Sequence, residues 1–156
     1  MAIKSWINVD NAELYEKMPL DFFMSVAAQG GLDTCNDVAA IKNYIDNAVS
    51  ILEIGAGYSR VINFILKQNY NGQITAIERN LKLYQHLQQV YSDKITLVNT
   101  DIQKVKLNTK YDLILWMWTG ICEFSKPEQQ AVIKMLADYL SPQGFLIIDT
   151  IPIGRI

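Results

Sequence analysis

From residue 49 onward, apolar runs of strand length alternate with segments of helical period, an alternation that restricts the chain to a parallel sheet with crossover helices. The runs are Val49–Ile54, Gln73–Ile77, Lys94–Val98, Tyr111–Met117 and Gly144–Asp149. Most are continuously apolar, as strands covered on both faces should be. Between them the spacing predicts helices over Ser59–Tyr70, Leu81–Tyr91 with Asn80 as cap, and Lys126–Leu140. The last opens with a capping box, Ser125 and Glu128, with Pro127 in its first turn. Val132, Met135, Leu136, Tyr139 and Leu140 then mark one buried face before Ser141-Pro142-Gln143-Gly144 ends it. Upstream, Asp10–Met18, Leu20–Gln29 and Thr34–Asp46 read as short helices separated by Pro19 and by Gly30-Gly31. The expectation is one domain over residues 1–156: N-terminal helices over 1–47, covering the ligand edge of the sheet, and an α/β core over 48–150.

Composition narrows the function. Half of the residues are apolar or aromatic and 19% are charged, enough for a packed core. A net charge of −2 without a basic run argues against nucleic-acid partners. Cys35 and Cys122 lie far apart with no Cys/His cluster beside them, so neither a disulfide framework nor a metal site is expected, and a reducing compartment fits. No segment approaches the roughly 18 apolar residues that span a bilayer. The chain therefore reads as cytoplasmic and soluble, with no membrane partner.

In Glu53-Ile54-Gly55-Ala56-Gly57-Tyr58-Ser59-Arg60 a buried strand enters a turn with two glycines and then a helix. Such a turn lets a ligand approach the backbone closely, and the helix start beyond it offers unpaired N–H groups. A tight turn that needs glycine only for its own shape is the competing reading. Glu78, twenty-five positions after Glu53, ends the second strand where an adenosine ligand would present its ribose hydroxyls; the alternative is a solvated acid at a strand end. Asp101 follows the third strand, where it can face an adenine while Ile102 lines the ring's flat side, or cap the turn that follows, or both. Trp116 and Trp118 should share one side of the fourth strand and Met117 the other, with core packing the expected role of at least one Trp. His86, the only histidine, reads as an ordinary surface residue of its helix. No catalytic residue is assigned, because no Ser/His/Asp set and no carboxylate pair stands out.

These segments resemble the class I S-adenosylmethionine-dependent methyltransferases over about residues 38–150. Ile51–Ser59 is similar to the family's acidic-x-Gly-x-Gly motif, Ile74–Asn80 to its second strand ending in an acid, and Tyr111–Trp116 with Leu140–Ile148 to its fourth strand and fifth-strand entry. The resemblance implies a Rossmann-like three-layer α/β/α sandwich with a mainly parallel sheet of about five strands. It implies S-adenosyl-L-methionine as cofactor, with Gly55 and Gly57 at the methionine end, Glu53 helping to hold that end, Glu78 on the ribose and Asp101 at the adenine. Ala56, Arg79, Ile102 and Trp116 complete the cofactor site it implies. Ser59 stands where the family motif has a third glycine, and the dinucleotide motif GxGxxG would need glycine at Arg60.

The function expected is methyl transfer to a small molecule, with an acceptor pocket drawn from Tyr15, Phe22, Trp118 and Glu123. Two other readings stand beside it: a binding or assembly module that keeps the fold without turnover, and an NAD-dependent oxidoreductase, which Arg60 disfavours. After the fifth strand only Thr150–Ile156 remains, too little for the family's usual C-terminal antiparallel pair, so pairing of the fifth-strand edge with a second copy, or a chain shortened from a longer parent, is expected.

Overall fold

The computed structural model describes residues 15–91 and 93–150. Strands β1 (Ser50–Ile54), β2 (Gln73–Ile77), β3 (Thr96–Val98), β4 (Tyr111–Trp116) and β5 (Leu140–Ile148) form one all-parallel sheet in the order β3-β2-β1-β4-β5. The chain works outward from β1 to β3, then returns to the other side of β1 for β4 and β5. Strand order therefore reverses between β1 and β4, and the crevice beyond their carboxyl ends is where such a sheet receives a ligand. The helices are α1 (Leu20–Gln29), α2 (Asn36–Ala40), α3 (Lys42–Asn47), α4 (Arg60–Lys67), α5 (Leu81–Tyr91) and α6 (Lys126–Ala137).

Alternate residues of the central strands enter opposite cores. Ile51, Ala76, Leu113 and Leu115 meet Val38, Ile45, Ile62 and Leu87 from the helices on one face. Leu52, Ile54, Ile77, Ile114 and Trp116 meet Val132 and Leu136 of α6 on the other. Each Leu or Ile so buried stabilises the fold by about 1.5–3 kcal/mol, which fixes the register of every central strand. The two cores make the three layers of the sandwich.

Several boundaries differ from those expected, for local reasons. The single helix expected over Thr34–Asp46 is a 3₁₀ turn at Leu32–Thr34 followed by α2 and α3, because Cys35 is left-handed, with φ 52°, and the chain breaks again at Ile41. α4 starts at Arg60 and stops at Lys67, short of Tyr70, with left-handed Asn69 two residues on. α6 ends at Ala137 rather than Leu140, since Tyr111 N–H already bonds Tyr139 O at 2.8 Å and draws the chain into the sheet. β5 accordingly begins at Leu140, not Gly144. Its pairing jumps from Tyr111↔Leu140 to Leu113↔Phe145, and a Cβ at Gly144 would stand 2.7 Å from Tyr111 O, so only glycine passes there. The helix expected over Asp10–Met18 lies largely outside the described residues; of its described part, 15–18, residues 15–17 are helical and Met18 is a bend.

The outer strands are not covered on both faces. β5 is only half-buried, and Phe145 is 54% exposed against Tyr44, the ring centres 5.0 Å apart. Among the described residues no further strand pairs with β5.

Candidate functional site

The glycine turn follows β1 at the point where strand order reverses. Gly55 and Gly57 both have positive φ, 67° and 55°, and a Cβ at Gly55 would meet nothing within 4 Å, so the backbone there faces open space. Ser59 is also left-handed, with φ 79°, a conformation that costs a non-glycine residue about 1 kcal/mol or more. Its Oγ accepts a hydrogen bond from the Tyr91 hydroxyl at 3.1 Å. The helix thus begins at Arg60, one residue later than expected, and the conformation at Ser59 is one that glycine would adopt more freely.

Glu78, 5% exposed, is folded back onto this turn. Its Oε2 accepts the Gly57 N–H at 2.8 Å and its Oε1 accepts the Asn80 N–H at 2.7 Å. Burial pushes the carboxyl upward while those two backbone bonds oppose the shift. A carboxylate has about four acceptor sites, so two remain for a ligand's hydroxyls. Asn80 in turn caps α5, its Oδ1 accepting N–H bonds from Lys82 and Leu83 at 3.0 and 3.1 Å. The acid and the helix behind it are therefore held by one short segment.

Glu53 is 3% exposed at the end of β1, and its Oε2 has no hydrogen-bond partner among the described residues. Burial raises its carboxyl to about 8, with attraction by Arg60 lowering it and repulsion by Glu78 adding to the rise. Arg60 does not reach it by a hydrogen bond: both of its terminal nitrogens bond Asp37 at 2.7 Å, joining α4 to α2. Across the cleft, Arg79 Nη2 bonds Glu123 Oε2 at 2.6 Å, and the Tyr15 hydroxyl also bonds Glu123. Burial, then the charge of Glu123, lifts the Tyr15 phenol to about 12.

All nine residues expected at the cofactor site, Glu53, Gly55, Ala56, Gly57, Glu78, Arg79, Asp101, Ile102 and Trp116, line one cleft of about 940 Å³ including its mouth. Asp101 also caps the 3₁₀ turn after it, its Oδ1 accepting the Gln103 N–H at 2.8 Å, so both roles considered for it are compatible. Trp116 lines the cleft and is core at once, packed on Phe124 at 5.5 Å. Trp118 does not continue the strand's alternation: β4 ends at Trp116, and Trp118 and Thr119 are left-handed, with φ 59° and 55°. Their N–H groups are held by the Asp149 carboxylate at 2.9 and 2.5 Å. Of the acceptor candidates, Tyr15, Trp118 and Glu123 line the cleft; Phe22 is 55% exposed outside it, and its neighbour Phe23 points in, with centroids 5.4 Å from Tyr15, 5.7 Å from Tyr58 and 4.9 Å from Trp118. His86 is absent from the cleft lining. No group of three metal-ligating side chains occurs among the described residues.

The family model described as a methyltransferase domain matches residues 51–144, more than half of the chain, from the glycine turn to the fifth-strand entry. The chain belongs to the methyltransferase-domain family. A malonyl-[acyl-carrier protein] O-methyltransferase of Priestia megaterium is 26% identical over 113 residues, 69% of this chain and 39% of its own length. Among solved structures, the plantazolicin methyltransferase BpumL in complex with SAH superposes with a TM-score of 0.70 at 20% identity, over 88% of this chain and 55% of that one. CalS10, an amino pentose methyltransferase of Micromonospora echinaspora in its SAM-bound form, gives 0.66 at 15% identity, over 78% and 52%. This methyltransferase domain thus spans about two-fifths of the length of its curated relative and about half that of the solved structures.

The residues present suit an adenosine cofactor with a cationic amino-acid arm. The turn leaves open space at Gly55, Glu78 keeps acceptor capacity, and a buried carboxyl lacks a partner at Glu53. The two arginines that line the cleft are both committed, Arg60 to Asp37 and Arg79 to Glu123.

Proposed function

We propose that this domain binds S-adenosyl-L-methionine in the β1–β4 crevice and transfers its methyl group to a small-molecule acceptor. The observation that carries the reading is the arrangement of Glu53, Gly57 and Glu78: one orphan acid, one open turn, and one acid held by the turn itself. The sulfonium supplies an electrophilic methyl when bound, so the chain has to hold the donor, orient an acceptor and exclude water. Glu78 and Asp101 hold the nucleoside, and Glu53 and the glycine backbone hold the amino-acid arm. Trp118, Tyr58 and Phe23 line the cleft with their rings in mutual contact, an apolar group suited to excluding water.

Electrostatics favours this ligand over a dinucleotide. A pyrophosphate needs free N–H groups or free cations, whereas Gly57 N–H is already given to Glu78 and both cleft arginines are paired. The acid-rich cleft and the net charge of −2 also disfavour nucleic acid as acceptor. The two free cysteines, well apart, support a cytoplasmic location, and no described helix is long and apolar enough to cross a membrane. The β5 edge, on which no further strand pairs among the described residues, and the exposed Phe145 support pairing with a second copy there.

Thermal shift with S-adenosylmethionine, S-adenosylhomocysteine or NAD tests the reading. At 100 times Kd the stabilisation is about 2.7 kcal/mol, visible for a domain of this size. A shift with both sulfur ligands and none with NAD is expected, reduced in Glu78→Ala; no shift with either sulfur ligand overturns the reading. A binding module without turnover would shift equally. Formation of S-adenosylhomocysteine in methylation assays against metabolite pools separates the two.

A further inference from the structure

We propose that Asp149 is a positioning residue for the acceptor end of the cleft: its carboxylate holds the backbone of Trp118 and Thr119 in a turn that sets the Trp118 ring into the cleft wall and Glu123 beside Arg79. The inference rests on the methyl-transfer reading above for what the cleft receives. Asp149 follows β5 directly, and its own N–H bonds Trp116 O at 3.3 Å, which fixes it beside the end of β4. From there its two oxygens reach two successive backbone groups of the segment that leaves β4. Oδ2 accepts the Trp118 N–H at 2.9 Å and Oδ1 the Thr119 N–H at 2.5 Å.

Trp118 and Thr119 are consecutive and both left-handed, with φ 59° and 55°, a conformation unfavourable for any residue with a side chain and most of all for a β-branched one such as Thr119. Something must hold them there. Two successive N–H groups turned to one side form a concavity that suits an anion, and Asp149 fills it from within the chain with two charge-assisted bonds. A neutral amide at 149 would accept only one of them and turn its own N–H toward the other. The effect of the hold runs in two directions. The Trp118 ring lines the cleft against Phe23 at 4.9 Å and Tyr58 at 6.3 Å, so that α1, the glycine turn and the end of β4 share one aromatic wall. Beyond it, Thr119 O accepts the Cys122 N–H at 2.8 Å and starts the 3₁₀ turn Gly120–Glu123, which carries Glu123 to Arg79. Gly120 lets this turn lie on the Trp116 indole, since a Cβ there would stand 2.5 Å from Trp116 Nε1. An acceptor aligned for in-line attack needs a wall of fixed position. Asp149 is absent from the cleft lining and supplies that fixity from behind.

Fluorine NMR of the full chain labelled with fluorotryptophan reads the position of the ring; the signal lost in Trp118→Phe is that of Trp118, and the one lost in Trp116→Phe is that of Trp116. In the native chain S-adenosylhomocysteine should shift the Trp118 signal. Asp149→Asn should move that signal toward the position of a solvent-exposed fluorotryptophan, remove most of its response to the ligand, and leave the Trp116 signal in place. Adding Thr119→Gly to Asp149→Asn removes strain that the carboxylate offsets, and should bring the Trp118 signal back toward its native position. A residue that serves the core alone would move Trp116 together with Trp118 and gain nothing from the glycine; either result overturns the proposal, as does a Trp118 signal that Asp149→Asn leaves unmoved. Calorimetric binding of S-adenosylhomocysteine to the native chain without a Trp118 response also overturns it and leaves the cofactor reading intact. A native chain that binds no S-adenosylhomocysteine removes that reading and the role of Asp149 with it. Should Asp149→Asn fail to fold, amide hydrogen exchange on the native chain decides: protected Trp118 and Thr119 N–H groups uphold the proposal, and exchange as fast as that of an open loop overturns it.

Discussion

Glu53 and Asp112 stand at opposite ends of neighbouring strands and are treated in opposite ways. Asp112, at the start of β4, is saturated: its Oδ2 accepts the Val49 and Ser50 N–H groups at 3.0 and 3.2 Å and the Ser50 hydroxyl at 3.1 Å, and its Oδ1 accepts the Ser141 hydroxyl at 2.7 Å. One carboxylate so ties β1, β4 and β5 together. Glu53, at the far end of β1, is more deeply buried yet leaves an oxygen unmet. The amino end of the sheet spends its polar groups on cohesion; the carboxyl end keeps one in reserve. A buried acceptor without a partner costs about 1–3 kcal/mol, and at Glu53 that cost falls on a residue that lines the cleft.

The comparison has its sharpest consequence in pH dependence. The folded-state value of Glu53 is raised above that of the unfolded chain, so its contribution to stability is complete below about 4.5 and is lost as pH rises to about 8. Glu53→Gln removes that loss. Urea unfolding should find the variant and the native chain similar near pH 4.5, with the variant ahead by roughly 5 kcal/mol at pH 9. Equal midpoints at pH 9 would mean that Glu53 is satisfied by a partner or by water, and the contrast between the two ends would fail.

Asp112 should behave in reverse. The Ser141 hydroxyl first, then the Val49 and Ser50 groups, hold its carboxyl below the usual range. Its contribution is therefore present above the unfolded value and lost as pH falls through the folded one. Asp112→Ala should cost about 2 kcal/mol at pH 7, with the gap to the native chain closing in acid. Affinity for an adenosine ligand, measured by calorimetry, should be unchanged. A weakened affinity would show that the two ends of β1 are coupled and that cohesion and binding are not separate.

How much of this could be read from the sequence follows the same division. The central strands, the glycine turn and Glu78 were legible because each has a local signature: apolar runs, paired glycines, an acid at a strand end. The capping box at Ser125 and Glu128 is present, the Ser125 N–H bonding Glu128 Oε2 at 2.8 Å. Groups that act through distant partners had no such signature. Arg60 with Asp37, Arg79 with Glu123, and Asp149 holding Trp118 and Thr119 join segments that no period connects. Choosing between Phe22 and Phe23 was equally out of reach, because α1 buries little besides Ala27 and so shows no clear inner face. The break at Cys35 depends on a left-handed residue that is not glycine, for which the sequence carried no marker.

The smallest effect is expected where the two ends of the comparison meet a third kind of carboxylate. Glu123 is paired, like Asp112, but at the cleft, like Glu53: Arg79 and Tyr15 both bond it, linking the ends of β2 and β4 across β1. The ion pair is partly exposed, 31% on Arg79 and 21% on Glu123, so water and salt screen it. Glu123→Gln should therefore change stability by no more than about 1 kcal/mol. Its clearer trace is in Tyr15. The charge of Glu123 and its hydrogen bond both raise that phenol, but burial is the largest cause, so in the variant the phenol should titrate below about 12 and still above its ordinary 10. Ultraviolet titration of the phenolate reads this directly. A loss of stability as large as that of Asp112→Ala would make the Arg79–Glu123–Tyr15 link a structural joint. A small loss with a lowered Tyr15 value leaves it a weak strap over the cleft, one that a ligand can displace at little cost.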